Sequence, residues 1–450
     1  MAAHPRYQRL LWASLFLLST LVIIAQGARL LGAIQNGVAT TTDFCLDYQT
    51  AQHWLHGARI YTPVTCWSRF SSTPVPLEYY AHPPFSLFVV LPFAVLSASL
   101  ATWLWGLLSL GCLVLSFLLI CHELSIHKPT IVLPLLALFL LWNPTEGSAS
   151  AENIGGGVTC LLVALIWRAL RRGQQGRAGT LAGLVILLKP VPFLLLPFFV
   201  LRRQWRAASA SLLFLVGGVS ISAAVMGPTA WLDYLGPARA DEGFAVAVPS
   251  NLAIEGYLVR WINGYHEFLH PGAVRAFIDL PPLFTGLSLS ASLLLGYLLA
   301  GVALLVVGFW LWKRAPAPAW DDSDDASFAA VLLLTMLVFP SAWDWSLALI
   351  VMPLLWLGVK ITRRSASRTR LLLYGAALLL LAIPFGWLIP AFQLQAQTNL
   401  PWLLRLGGAM LTTLPTIALM LLLAALWPWF RPPAPAATFQ QAFEQVPASY

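Results

Sequence analysis

The chain has 450 residues, of which 10% are charged and 59% apolar, and its formal net charge is +8. Soluble domains carry about 25% charged residues; with a mean hydropathy of +0.76 this chain is not one of them. Its apolar runs are continuous, which also excludes a transmembrane β-barrel built on alternation. The bases sit in short segments between those runs, a topological pattern that gives nucleic-acid binding no support.

Residues 10–28, 283–312, 328–343, 371–404 and 406–430 lack Asp, Glu, Lys and Arg altogether. Most are long enough for a membrane helix, which needs about 20 apolar residues. Arg6 and Arg9 precede the first run. That run exceeds the ~7–15 residues of a signal-peptide core, so it reads as an uncleaved anchor with a cytoplasmic N-terminus. Residues 32–80 then form a first extracytoplasmic loop. After Asp43, the residues Phe44, Tyr48, Ala51, Trp54 and Leu55 recur at spacings of three and four, and Asp43 and Asp47 share a face. The expected helix lies along the outer membrane surface, with Trp54 and Tyr61 at headgroup level. It would hold Asp43 within reach of a lipid headgroup and a water-soluble molecule; a plain helix-capping role after Thr40-Thr41-Thr42 is the alternative. Cys45 and Cys66 share this loop and are open to a disulfide in an oxidising compartment. Cys112, Cys121 and Cys160 read as small core residues. His53 and His56 lack a third ligand at suitable spacing, so no metal site is expected.

Tyr79-Tyr80-Ala81-His82-Pro83-Pro84 leads into the next apolar segment, and His82 is placed to bond a polar ligand at the surface or to serve as a satisfied interfacial side chain. Four apolar stretches lie between the first loop and the basic cluster Arg168, Arg171, Arg172, Arg177. Opposite sidedness requires an odd number of crossings, so one stretch is fused, re-entrant or interfacial. Residues 181–201 lie between this cluster and Arg202, Arg203, Arg206, and Lys189-Pro190 breaks them, as in a short hairpin. Lys189 is an ionisable group at membrane depth, a candidate for a phosphate or for snorkelling. A second extracytoplasmic loop, 227–282, carries Asn251 and Arg260, the latter suited to clamp an oxyanion or simply juxtamembrane. Asp321-Asp322-Ser323-Asp324-Asp325 reads as a solvated cytoplasmic turn, and Asp344 as outside. Residues 1–430 are expected to form one membrane domain of about 11–13 segments, followed by a disordered cytoplasmic tail, 431–450. The fold class is an all-α polytopic membrane protein.

The order of these motifs resembles glycosyltransferase family 87 of the GT-C superfamily, polyprenol-phosphate-mannose-dependent α-mannosyltransferases. The matching residues are Asp43-Phe44, Tyr48, Ala51, Gly57 and Tyr61; then Tyr80, Pro83 and Pro84; then Ala178, Gly179, Gly183, Lys189 and Pro190 with the basic end Arg202 to Arg206; then Pro340, Trp343 and Pro353. The chain departs at Gly156-Gly157-Val158-Thr159, at Asn251-Leu252-Ala253, at Asp344, and at Asp47, where the family has an aromatic residue. The resemblance implies an inverting transfer of a hexose, mannose in this family, from a polyprenyl-phosphate sugar in the plasma membrane to a glycan or glycolipid. It implies Asp43 as general base, since a hydroxyl nucleophile gains ~10²–10⁴-fold from a positioned base. No general acid is needed for a phosphate leaving group, and no cofactor. Asp47, Tyr48, Tyr80, His82, Lys189, Asn251, Arg260, Trp343 and Asp344 are the expected substrate-binding residues. A membrane transporter or lipid-linked sugar flippase, or a catalytically degenerate member, is the competing class. A transporter would show inverted repeats, and none is evident.

Overall fold

A computed structural model describes residues 5–37, 43–67, 74–78, 80, 82–142, 144–145, 156–236, 251–264, 281–284, 286–313, 319–340, 342–363, 367–383 and 385–430. In chain order the helices are α1 (Pro5–Gly37), α2 (Asp43–Leu55), α3 (Leu87–Ala94), α4 (Ala98–Glu123), α5 (Pro129–Leu141), α6 (Gly157–Arg171), α7 (Gln175–Leu188), α8 (Leu195–Leu201), α9 (Trp205–Met226), α10 (Ile254–Ile262), α11 (Leu289–Lys313), α12 (Asp322–Val338), α13 (Val351–Arg363), α14 (Arg368–Leu381), α15 (Phe385–Ala396), α16 (Trp402–Thr412) and α17 (Leu414–Leu426). The fold is that of an all-α, multi-pass membrane protein. Among the described residues four helices are long and apolar enough to cross a membrane, or five if the bent pair α16–α17 is one span. Shorter apolar helices, among them Pro84–Ala94, Pro129–Leu141 and Gln175–Leu188, lie between them. The loop after α2 also holds a small antiparallel hairpin, β1 (Val64–Trp67) with β2 (Pro74–Glu78), pairing Val64 with Glu78 and Trp67 with Pro74.

Helix α12 is the centre of the bundle: every residue from Asp324 to Val338 is buried. Its first turn overturns the expectation of a solvated acidic loop. Asp321 caps the helix, accepting hydrogen bonds from the backbone N–H groups of Ser323 (2.8 Å) and Asp324 (2.9 Å). Asp325 accepts three indole N–H groups, from Trp167 (2.8 Å), Trp320 (2.6 Å) and Trp356 (3.0 Å), and lies 3.8 Å from Arg171. Asp324 pairs with buried Arg202, and Asp322 with Lys360. The physical reason is that a helix start has orphan N–H groups and a positive dipole end. Buried indoles also need acceptors.

Helix α7 and the segment Val191–Leu201 form the hairpin the sequence implied. Gly173 and Arg177 at the start of α7 line one cavity with Arg203 and Arg206 at the start of α9, so residues 191–201 return to the end from which α7 left. Helices α7 and α9 run side by side in the same direction, Gly179 against Ala207 and Gly183 against Ser211. A Cβ on Gly179 would sit 2.1 Å from the Ala207 carbonyl oxygen, so only glycine permits this approach. The 14 residues of α7 rise ~21 Å, short of a ~30 Å hydrocarbon core. Lys189 therefore sits at the apex of a hairpin shorter than that core.

Replacing Asp325 with Ala should cost ~3–5 kcal/mol, because three indoles and Arg171 lose a buried acceptor. Asp322→Asn, at a partly exposed pair with Lys360, should cost less than ~1 kcal/mol. Thermal unfolding in detergent compares them, and equal melting would show that α12 does not depend on its buried acidic end.

Candidate active site

Helix α2 begins at Asp43, whose side chain lies outside the described residues. Phe44, Tyr48 and Ala51 form its buried face. Phe44 stacks on Trp105 with centroids 5.0 Å apart, and Phe93 meets Phe44 edge-on. The Tyr48 hydroxyl donates to the Leu96 carbonyl (2.8 Å) and accepts from Gln52 (2.7 Å), so this expected substrate-binding residue fastens α2 to the end of α3. After α2 the chain turns at Gly57 with φ of +88°, a left-handed geometry glycine adopts without strain. The turn brings Tyr61 back, and its hydroxyl donates to the His82 carbonyl (2.8 Å).

Asp47, His82, Tyr80 and Lys189 come together here. Asp47, expected on the same face of α2 as Asp43, is fully buried. His82 Nε2 lies 3.6 Å from Asp47 Oδ1, just beyond a direct hydrogen bond. The Tyr80 ring meets His82 edge-on at 5.5 Å, and its hydroxyl shares a hydrogen bond with Ser86. Ser86 also donates to the Pro83 carbonyl, which closes the turn where Pro84 starts a 3₁₀ segment. Tyr61 and Tyr234 extend the aromatic wall. Lys189 is in extended backbone (φ −150°, ψ 118°) at the end of α7. Burial and then the positive charge of Lys189 push the His82 pKa down to about 3. His82 is thus a neutral imidazole, with one donor and one acceptor nitrogen.

A second group forms where the chain beyond residue 250 meets the end of α12. Asn251 and Trp343 pair as an antiparallel bridge, and Leu252 N–H donates to the Ala342 carbonyl (2.8 Å). The Asn251 amide donates to the Pro340 carbonyl and accepts from Ala253 N–H (2.9 Å). Arg260 is buried, with its guanidinium over the Tyr257 ring (4.2 Å) and a hydrogen bond to the Asn251 carbonyl (3.1 Å). The structure so brings Asn251, Arg260 and Trp343 together, and each has a part in holding this junction. Phe193, just past the Lys189-Pro190 break, lies 6.0 Å from Phe339, which joins the two groups. The Asp344 side chain lies outside the described residues.

Sequence reasoning passed over Glu255 and Ser86. Glu255, in the first turn of α10, is fully buried against Gly296 of α11. Its carboxyl oxygens have no hydrogen-bond partner among the described residues, and burial pushes its pKa up to about 7. The signal was available: Glu255 is the one charged residue between 243 and 259, and it opens an amphipathic helix. Ser86 carried no signal, because its role depends on Tyr80 folding over it. Cys45 is disulfide-bonded, whereas Cys112, Cys121 and Cys160 are free. The Cys66 side chain lies outside the described residues. Peptide mapping without reduction should recover Cys45 joined to Cys66, and a different partner would overturn that pairing.

A multi-pass helical protein with ionisable side chains gathered at a broken helix is a membrane protein built around a polar site. The chain belongs to glycosyltransferase family 87, whose sequence profile matches residues 80–340. It is similar to an alpha-(1->3)-arabinofuranosyltransferase of Corynebacterium glutamicum, 25% identical over 239 residues, which are 50% of this chain and 53% of the relative. It is also similar to proteins of that name from two Mycobacterium tuberculosis strains, 28% identical over 138 residues, 30% of this chain and 31% of theirs. The chain thus spans about half the length of the first relative and about a third of the others. No solved structure matches. The relatives' names give the expectation of mannose no support. The matched range includes Tyr80, His82, Lys189, Asn251 and Arg260, and stops short of Trp343.

The lowered His82 pKa has a testable sign. The unfolded chain binds this proton near pH 6.5, the folded protein only near 3. Stability is therefore lost as pH falls below about 6.5, and His82 contributes no pH dependence above it. Between about pH 7 and 5 the melting temperature of His82→Gln should fall less than that of the wild type. Parallel slopes would mean that folding leaves the His82 proton affinity unchanged.

Proposed function

We propose that the chain is an inverting glycosyltransferase of the plasma membrane. Its donor is a sugar on polyprenyl phosphate, an arabinofuranosyl unit in the reading its relatives support. Its acceptor is a glycan or glycolipid on the extracytoplasmic face. The termini lie in the cytoplasm, residues 1–430 form the membrane unit, and the loops 32–80 and 227–282 face outside, because the basic clusters favour the cytoplasmic side. The tail 431–450 lies outside the described residues.

The observation that carries this reading is the position of Lys189. It stands at a helix break, its charge reaches His82, and His82 lies 3.6 Å from Asp47 of α2, the helix that starts at Asp43. A lipid-linked phosphate needs such a cation at the depth of its headgroup. In the proposed step the acceptor oxygen forms a bond to the anomeric carbon as the bond from that carbon to the phosphate oxygen breaks. The bonding pair leaves with polyprenyl phosphate, whose charge Lys189 balances. The hydroxyl proton passes to Asp43. Neutral His82 donates or accepts a hydrogen bond without adding charge beside the donor phosphate. Asp47 orients His82 across 3.6 Å.

Purified protein supplied with labelled polyprenyl-phosphate arabinofuranose or mannose and glycan acceptors tests this. Arabinose should transfer; preferential use of mannose would overturn the sugar assignment. Asp43→Asn should lose at least ~10²-fold in turnover with unchanged melting, since the amide caps a helix as well but is no base. Asp47→Asn should lose less. Wild-type turnover in Asp43→Asn would remove Asp43 as the base.

A further inference from the structure

The arginines at the basic end of the bundle divide into two sets. Arg168 and Arg172 pair with Glu123 (3.1 and 3.0 Å), Arg171 lies 3.8 Å from Asp325, and Arg202 pairs with Asp324. Those four are consumed in holding helices together. Arg177, Arg203 and Arg206 have no carboxylate partner among the described residues. All three line one cavity of about 530 Å³, with Gly173, Gln174 and Trp205.

Three further observations give the cavity a ligand chemistry. Helices α7 and α9 run parallel and in register, so their first turns, the positive ends of the two helix dipoles, both open onto it. Trp205 is 62% exposed and begins α9, whose flank shows Leu213 and Val216 to the surroundings. An exposed Trp above an apolar helix face marks the headgroup level of a bilayer. Finally, the two turns that frame the cavity share one geometry. Gly173 has φ of +69° and Gln174 N–H donates to the Ala169 carbonyl (2.8 Å); Arg203 has φ of +54° and Gln204 N–H donates to the Phe199 carbonyl (2.8 Å). The second turn places an arginine in a left-handed position that favours glycine. Folding alone does not call for that guanidinium.

We propose that this cavity binds the phosphate group of an anionic lipid, in the leaflet that faces the basic clusters. It lies at the opposite end of α7 from Lys189, ~21 Å away, and is separate from the sugar-transfer site. Three arginines lining one cavity at headgroup level suit a phosphodiester, and basic pockets between membrane helices on this side bind such headgroups.

The test uses full-length protein purified in neutral detergent, with phosphatidylglycerol, phosphatidylcholine or inorganic phosphate added. Native mass spectrometry and thermal unfolding read the binding. Wild type should keep phosphatidylglycerol and melt higher with it than with phosphatidylcholine. The double variant Arg177→Gln/Arg206→Gln should bind phosphatidylglycerol at least tenfold more weakly. Arg203→Gly should also bind it more weakly, yet melt no lower than wild type without lipid, because glycine suits its φ; this separates binding from folding. Equal retention by all variants, or equal stabilisation by phosphatidylcholine, overturns the site. Inorganic phosphate matching phosphatidylglycerol at the same concentration overturns the lipid assignment in favour of a free anion.

Discussion

The carboxylate of Asp325 is the constraint on which the rest depends. Helix α12 is buried along its length, so its polar start cannot be left to water. Asp325 meets this by accepting from Trp167 on α6, Trp356 on α13 and Trp320 just ahead of α12. Neighbouring Asp324 takes Arg202 at the end of α8. Three segments distant in sequence are thereby fixed around one helix start. The other end of α12 is fixed as a consequence, since 17 residues of helix are a rigid strut of ~25 Å. That far end is Phe339-Pro340, and Asn251 docks there. A network at the basic end thus sets the geometry of a junction at the other.

The polar groups of the candidate site are housed by interrupting helices. An unbroken helix through the membrane would leave Lys189 on a lipid-facing or core-facing flank, costly in either place. Ending α7 at Leu188 and turning at Pro190 puts Lys189 in non-helical backbone inside the protein, where such backbone is tolerated. The same break allows residues 191–194 to lie against the end of α12, with Phe193 near Phe339. The close pair α7–α9, possible because Gly179 has no side chain, keeps this short hairpin rigid without full-length helices. The short helices that made crossing counts ambiguous in the sequence are the ones that build the site.

Much of this was legible. The spacing of Phe44, Tyr48 and Ala51 gave the start and buried face of α2, because a 3.6-residue period shows directly which side packs. Lys189-Pro190 announced the break, since proline cannot continue a helix and a charge marks the spot. The acidic turn was misread because its partners, Trp167 and Trp356, are 158 and 31 residues away from Asp325. Local composition signals solvent, and of the three indoles only Trp320 is near in sequence. The hairpin β1–β2 escaped because its strands are short and hold two prolines, Pro74 and Pro76. The burial of Asp47 was not legible because helical periodicity gives angular position, and not what the neighbouring turn places above it.

The Asp47–His82 pair bears on how the chain departs from its family. An aromatic residue at position 47 would need no polar partner in this fully buried place. A carboxylate does, and His82 is 3.6 Å away with Tyr80 edge-on to it. Burial and Lys189 hold the imidazole neutral, so the pair is not a simple ion pair of opposite charges. In the proposed site its use is orientation, the carboxylate standing beside one ring nitrogen. The residue that differs from the family pattern is thereby tied to a residue within the family match. Changes of sugar preference need such alterations beside the reacting centre rather than in it. On the proposed reading the base and the phosphate-binding cation serve any polyprenyl-phosphate donor, and the packing around His82 is the part left to select the sugar ring.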